Sequence, residues 1–195
     1  MAYRSIEELL LLLDEPYSSA CTKILFEHRA RFDEVQGSTH NHQNWPGGYL
    51  DHVREVMNIA IELYATLDTL RPLRFTRSDV LLILFLHDIE KPWKYEPAPE
   101  GGIREIEAMR GNKPAQHDFR SAKLVEYGIA LNDEQQNALR YVEGEIADYR
   151  NDKRIMSPLA GFCHLCDVVS ARIWFDHPAD NSLPDPWSPP RSGTS

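Results

Sequence analysis

The pair His87-Asp88 is where the chain first points to chemistry. It follows the apolar run 80–86, and an ionisable pair at the end of such a run is costly unless something compensates it. A divalent metal ion would do so, because His supplies a neutral nitrogen and Asp a charged oxygen. Adjacent helical residues point about 100° apart, yet at a helix end both can reach one ion. Taken alone, the pair reads equally well as a satisfied core histidine followed by a C-terminal aspartate. Two further positions tilt the balance. His52 stands early in an amphipathic helix, just after Trp45-Pro46-Gly47-Gly48-Tyr49-Leu50-Asp51, and Asp167 stands inside an apolar helix among Phe162, Leu165, Val168 and Val169. An aspartate on an apolar face is costly unless it is paired or ligates a metal. The set His52, His87, Asp88 and Asp167 leaves part of an octahedral ion open, which is a catalytic rather than a closed structural arrangement. It suits Mn²⁺, Fe²⁺, Co²⁺, Zn²⁺ and, less well, Mg²⁺.

The order His … His-Asp … Asp resembles the signature of the HD superfamily of metal-dependent phosphohydrolases. Asn44-Trp45-Pro46-Gly47-Gly48-Tyr49-Leu50-Asp51-His52 resembles the "GG-L-x-H" lead-in of HD domains, including those of certain exoribonucleases. Leu86-His87-Asp88-Ile89-Glu90-Lys91 is similar to "HD-I-G-K". The stretch from Ser157-Pro158-Leu159-Ala160 through His164 to Asp167 is similar to "P-x-A-x-x-x-x-x-A-D", with Cys166 in place of the small residue. The resemblance spans roughly residues 47–175 and agrees in three separated segments. It implies that a metal-bound water attacks phosphorus, with Asp88 among the catalytic groups, and that Lys91 binds a phosphate oxygen. Without the resemblance, Lys91 is a solvated lysine beyond a helix end.

Some members of that superfamily hold a second metal on extra histidines. His117, followed by Arg120 and Ser121, matches the first such position, so a second metal near His117 is an expectation of the resemblance. The next position normally lies in a His-His-Glu context, whereas this chain reads Tyr141-Val142-Glu143-Gly144-Glu145. Glu143 or Glu145 is left to supply an oxygen ligand or act as general base. The 5′-nucleotidase branch has a Glu where this chain has Lys91, so its acid–base residue does not transfer. His117 is then free to contact phosphate or leaving group directly. His42 and Trp45 are candidate substrate contacts, Trp45 by stacking on a base, and His40 and Asn44 share their loop. The alternative for this loop is a segment packed on the domain by its Trp. Arg120, Lys123 and Arg54 are further candidate phosphate contacts. Cys163-His164-Leu165-Cys166 has no partner pair elsewhere, and buried small thiols beside Asp167 outweigh a zinc or redox role.

The reaction expected first is metal-dependent hydrolysis of (deoxy)nucleotide phosphate esters. The alternative is a phosphodiesterase or 3′-5′ exonuclease acting on RNA, DNA or cyclic nucleotides. A di-iron oxygenase on the HD fold and a relic, non-catalytic binding module rank after these.

The elements that must position these residues are helical. Sustained strand alternation is missing and helix signals recur. Ser5 with Glu8 forms a capping box. Helices are expected over about 18–35, 49–70, 77–88, 114–127, 132–146 and 157–175, with Thr76, Asn132 and Ser157-Pro158 as start signals and Gly128 as a stop. Pro92 closes the apolar helix, and 93–112 is an irregular stretch, a short hairpin or a flap. The fold expected is all-α: one HD-type bundle of about six to seven helices over 1–176, followed by a Pro/Ser-rich, disordered tail over 177–195. The chain has 195 residues, 42% of them apolar, enough for one core. Its net charge of −9 opposes duplex nucleic acid as a partner and favours a small anionic nucleotide held with help from a metal. Three cysteines, Cys21, Cys163 and Cys166, suit a reducing, cytoplasmic setting rather than a secreted scaffold. The apolar run near the N-terminus is too short to span a membrane and lacks the features of a signal peptide. HD enzymes often pair through their helices, so a homo-oligomer is compatible with the resemblance.

Overall fold

A computed structural model of the chain describes residues 2–38, 41–97, 103–145, 148–178 and 187. Among these the architecture is helical, with one two-stranded sheet. The seven apolar residues 80–86 explain the centre of the fold. In α5 (Arg77–Leu86) every one of them is at most 1% exposed, so this helix is enclosed on all sides. Its start is fixed by reciprocal hydrogen bonds: Asp79 N donates to Thr76 Oγ1 at 3.0 Å and Thr76 N donates to Asp79 Oδ2 at 2.9 Å.

Around α5 lie α4 (Gly48–Leu70), α8 (Asp133–Tyr141) and α9 (Pro158–Val168). Ser157 caps α9 through its side chain, and Pro158 takes the first helical position, where its missing N–H costs nothing. Past Val168 the coil widens into a π-helical turn, Val169–Ile173, whose last bond runs from Trp174 N to Val169 O at 3.1 Å. The short helices α1 (Ile6–Leu10), α2 (Tyr17–Glu27) and α3 (Arg29–Glu34) pack among themselves and onto α4.

The start of α4 depends on two glycines. Gly47 sits at φ +80, a left-handed conformation that glycine adopts without strain. Gly48 lies so close to the preceding loop that a Cβ would fall 1.9 Å from the Gln43 carbonyl oxygen. The two glycines thus let the chain at Gln43 pass at backbone contact distance from the start of α4, the helix that carries His52.

Several boundaries differ from the sequence expectation, each for a tertiary reason. The stretch 18–35 breaks at His28, whose ring packs edge-on against Trp93 with centroids 4.7 Å apart and whose Nε2 meets the Tyr127 hydroxyl at 2.8 Å. The helix expected over 77–88 ends at Leu86. His87 to Glu90 turn tightly, and Lys91 enters α6 (Lys91–Lys94), so Pro92 opens a short helix instead of merely closing a long one. The irregular stretch contains β1 (Tyr95–Pro97) paired antiparallel with β2 (Ile103–Glu105), Glu96 opposite Arg104. It leads to α7 (Lys113–Glu126). The helix expected to reach 146 stops at Tyr141, before Gly144 at φ +104. At the C-terminus, His177 bonds the buried Glu55 and Trp187 packs edge-on against Tyr3, so the ordered part runs beyond 176. The other residues of the expected tail past Pro178 lie outside the described residues.

Cys21, Cys163 and Cys166 are free and buried, and burial pushes all three thiols up. The C-x-x-C pair is therefore core packing. Among the described residues, no helix is long and apolar enough to cross a membrane.

Leu84 is fully enclosed, and truncating it leaves a cavity at the contact of α5 with its neighbours. Leu84→Ala should destabilise the fold by about 2–5 kcal/mol, read as a lowered urea midpoint with unchanged slope. A midpoint equal to that of the parent would place the core elsewhere.

Candidate metal centre

His52, His87 and Asp88 converge from two buried elements. His52 emerges from the first turns of α4 and is fully buried; His87 and Asp88 occupy the turn that leaves α5 and are 1% and 6% exposed. They are close enough to share one ion: His52 Nε2 lies 3.3 Å from His87 Nε2, and Asp88 Oδ2 lies 3.2 Å from His87 Nε2 and 3.9 Å from His52 Nε2. Asp167, from α9, lies beside this group. Its Oδ1 is 3.2 Å from His52 Nε2 and 3.9 Å from His87 Nε2.

The orientation of the rings decides what this cluster can do. His87 Nδ1 is 2.7 Å from the Leu84 carbonyl oxygen, which can only accept, so Nδ1 carries a hydrogen and donates it. The other nitrogen, Nε2, faces the cluster. A neutral imidazole with its far nitrogen anchored in this way is the usual form of a metal-ligating histidine. These nitrogens and carboxylates face one another closely, an arrangement that either a proton on a ring nitrogen or a cation among them would stabilise. The donor set fits a divalent ion with a preference for mixed nitrogen and oxygen ligands.

The electrostatics agree. Burial alone would raise the Asp88 carboxyl, but Lys91, whose Nζ is 2.6 Å from Asp88 Oδ2, and then His87 outweigh it and hold the group well below the usual carboxylate range. Asp167 is likewise lowered, its burial overcome by the adjacent His52 and then by His87. Burial pulls His52 down. Burial acts the same way on His87, but the charges of Asp88 and Asp167 and the two hydrogen bonds override it and raise His87 to about 9.

His87, Asp88 and Asp167 line a pocket of about 320 Å³, with His52 fully buried beside them. His42 lines it too. Its ring lies 4.6 Å, centroid to centroid, from that of His52, and its Nδ1 is 2.7 Å from Gln43 Oε1. Burial, then the neighbouring His52 and Lys91, lower His42 to about 4, so it is neutral at pH 7. Lys91 and Glu143 line the same pocket, together with three cations that the sequence did not single out: Lys94, Lys113 and Arg172. Lys94 is three residues beyond Lys91, a spacing that helix geometry could have flagged. Lys113 and Arg172 come from remote elements and carry no local signal. Lys94 pairs with Glu105 at 3.1 Å and Lys113 with Glu143 at 2.5 Å.

Other expected residues lie elsewhere. Gln116 and Arg120 form the inward face of α7, one turn apart and both buried. His117 falls on the flank of that helix, exposed, and lines a separate groove with Leu124, Leu131 and Leu139. Arg120 does not face the pocket; it donates to Glu90 Oε2 at 3.1 and 3.3 Å and to the Leu139 carbonyl at 3.2 Å, a buried ion pair that ties α7 to the turn after Asp88. Trp45 donates from Nε1 to Asp51 Oδ2 at 2.8 Å and is not among the pocket residues. Arg54 lies over the Tyr3 ring and Lys123 over the Trp93 ring, both away from the pocket. Glu145 Oε1 accepts from Met156 N at 3.0 Å. His40 lies outside the described residues. Among the described residues, His52, His87 and Asp88 are the one group of at least three such side chains whose ligand atoms all lie within 4.8 Å of one another.

No protein-family model, no curated protein and no solved structure matches the chain.

A proton on His87 competes with a cation for the same point. Because His87 is raised to about 9 from an ordinary value near 6.5, its protonated contact stabilises the fold fully below about pH 6.5 and is lost as pH rises through about 9. Mn²⁺ affinity should therefore climb about tenfold per pH unit between 7 and 9 and then level off, if one proton leaves as one ion binds. Electron paramagnetic resonance of free Mn²⁺ at several pH values measures this, and a flat profile would contradict it.

Proposed function

We propose that the chain is a metal-dependent phosphohydrolase acting on small nucleotide phosphate esters. The observation that carries the reading is the meeting of His52, His87, Asp88 and Asp167 at the wall of a pocket whose other walls hold Lys91, Lys94, Lys113 and Arg172. These cations stand among acidic groups of the same pocket, and on a chain of net charge −9 they give an anionic substrate its points of contact. A divalent ion bound there supplies a water of lowered pKa and polarises a phosphoryl oxygen.

The chain's own groups take complementary parts. Asp88 and Asp167 are held ionised, so both can ligate near neutral pH. Lys91 is kept fully charged because the Asp88 charge outweighs its burial. When a cation takes over part of the Asp88 charge, the Lys91 ammonium is available for a non-bridging phosphate oxygen. Neutral His42 offers the pocket a polar ring with no charge of its own. Glu143, paired with Lys113, lines the same pocket and is the candidate to accept a proton. The exposed position of His117 in a different groove supports neither a second metal beside it nor contact with the leaving group. Three buried thiols suit a reducing compartment, and a cytoplasmic enzyme is the proposed setting.

Phosphate release from nucleoside mono- and triphosphates with Mn²⁺ or Co²⁺ tests the proposal. Asp88→Ala should lower turnover by more than about 100-fold, since even partners of a ligand are worth about 10–100-fold. Lys91→Ala should lower kcat/KM. Turnover confined to oligonucleotides or cyclic esters would move the substrate to the phosphodiester class. Undiminished turnover in Asp88→Ala would place the chemistry outside this centre.

A further inference from the structure

Behind His52, on the side away from the pocket, lies a carboxylate with no evident structural need. Glu55 follows His52 on α4 by one turn and is 1% exposed. A buried carboxylate is expensive unless it is fully hydrogen-bonded, and Glu55 is. Its Oε2 accepts from the Ser170 hydroxyl at 2.5 Å and from Gln43 Nε2 at 3.2 Å, and its Oε1 meets His177 Nδ1. These partners come from the loop before α4, the π-helical turn after α9 and the segment beyond it.

The Ser170 hydroxyl has a single proton. At 2.5 Å from a carboxylate oxygen, that proton is directed to Glu55. Ser170 Oγ therefore presents a lone pair to its other neighbour, His52 Nδ1, at 3.0 Å. A lone pair there requires the hydrogen of His52 to be on Nδ1. The neutral imidazole has only one N–H, so Nε2 is bare and faces His87 and Asp167. Gln43, itself fully buried, also bonds Ser170 Oγ at 3.3 Å, and with His177 it prevents Glu55 from turning away.

We propose that Glu55 is a positioning residue which, through the Ser170 hydroxyl, holds His52 as its Nδ1–H tautomer with Nε2 aimed at the metal centre. Ser170 stands at the start of the π-helical turn, directly after α9. The Ser170 contact calls for a hydrogen on Nδ1, while Asp167 Oδ1, 3.2 Å from Nε2, competes for it in the metal-free chain; the consequence for metal affinity rests on the metal-centre reading.

The test uses the full chain, stripped of metal and labelled with ¹⁵N-histidine. Long-range ¹H–¹⁵N correlation identifies which nitrogen of His52 is protonated, and Mn²⁺ titration gives the affinity. The parent should show Nδ1–H. Ser170→Ala should lose that pattern and bind Mn²⁺ about 10–100-fold more weakly, while Ser170→Thr, which keeps the hydroxyl, should restore both. If Ser170→Ala fails to fold, Glu55→Gln, of equal size, should shift His52 toward a tautomer mixture with a smaller loss of affinity. A parent His52 protonated on Nε2 overturns the proposal, as does an unchanged tautomer with affinity within about twofold in both variants. A parent with Nδ1–H that binds no Mn²⁺ supports the relay and overturns the metal-centre reading instead.

Discussion

Two imidazole nitrogens 3.3 Å apart, both turned toward the same two carboxylates at the inner edge of a pocket, are the constraint around which this fold is arranged. Such a cluster is unstable in isolation. Its rings would turn to water or its carboxylates would take up protons. It persists because each group has a partner behind it: His87 a main-chain carbonyl of α5, His52 a serine on the π-helical turn, Asp88 the Lys91 ammonium. The polar centre is thus a product of the apolar core that surrounds it.

That core explains why the elements are placed as they are. A helix enclosed on all sides has to end inside the protein, and α5 delivers His87 and Asp88 at its end without exposing them. The long α4 carries His52 near its start, where Gly47 and Gly48 let a loop cross at backbone contact distance. The last helix brings Asp167 and then widens its coil to bring Ser170. Three elements distant in sequence therefore meet at one point, each contributing one end.

Charge shapes the rest. The chain is acidic overall, yet the pocket beside the centre gathers lysines and an arginine, most of them balanced by a nearby acid. Balanced cations keep the empty charge distribution tolerable while leaving ammonium groups that an anion with several oxygens can recruit. Arg120 plays the opposite part: fully committed to Glu90 and to a carbonyl, it fixes α7 against the turn after Asp88 and is not free to meet a ligand.

What the sequence by itself determined was type and order. The seven apolar residues before His87-Asp88, the Pro-Gly-Gly lead-in to His52 and the lone Asp167 on an apolar helix marked all four groups that converge, because burying such residues is costly in any fold that lacks a reason for it. The all-helical class followed from periodicity and capping residues for the same local reasons. What only the tertiary structure decided was direction. Whether Arg120 faces a pocket or a glutamate, whether His117 falls on the inner face or the flank of α7, and whether Lys113 and Arg172 reach the pocket depend on how helices are rotated about their axes and packed, which no local pattern encodes. The Glu55–Ser170–His52 chain is the clearest instance: its members are 115 and 118 residues apart, and the link exists only because a π-helical turn late in the chain meets the first long helix.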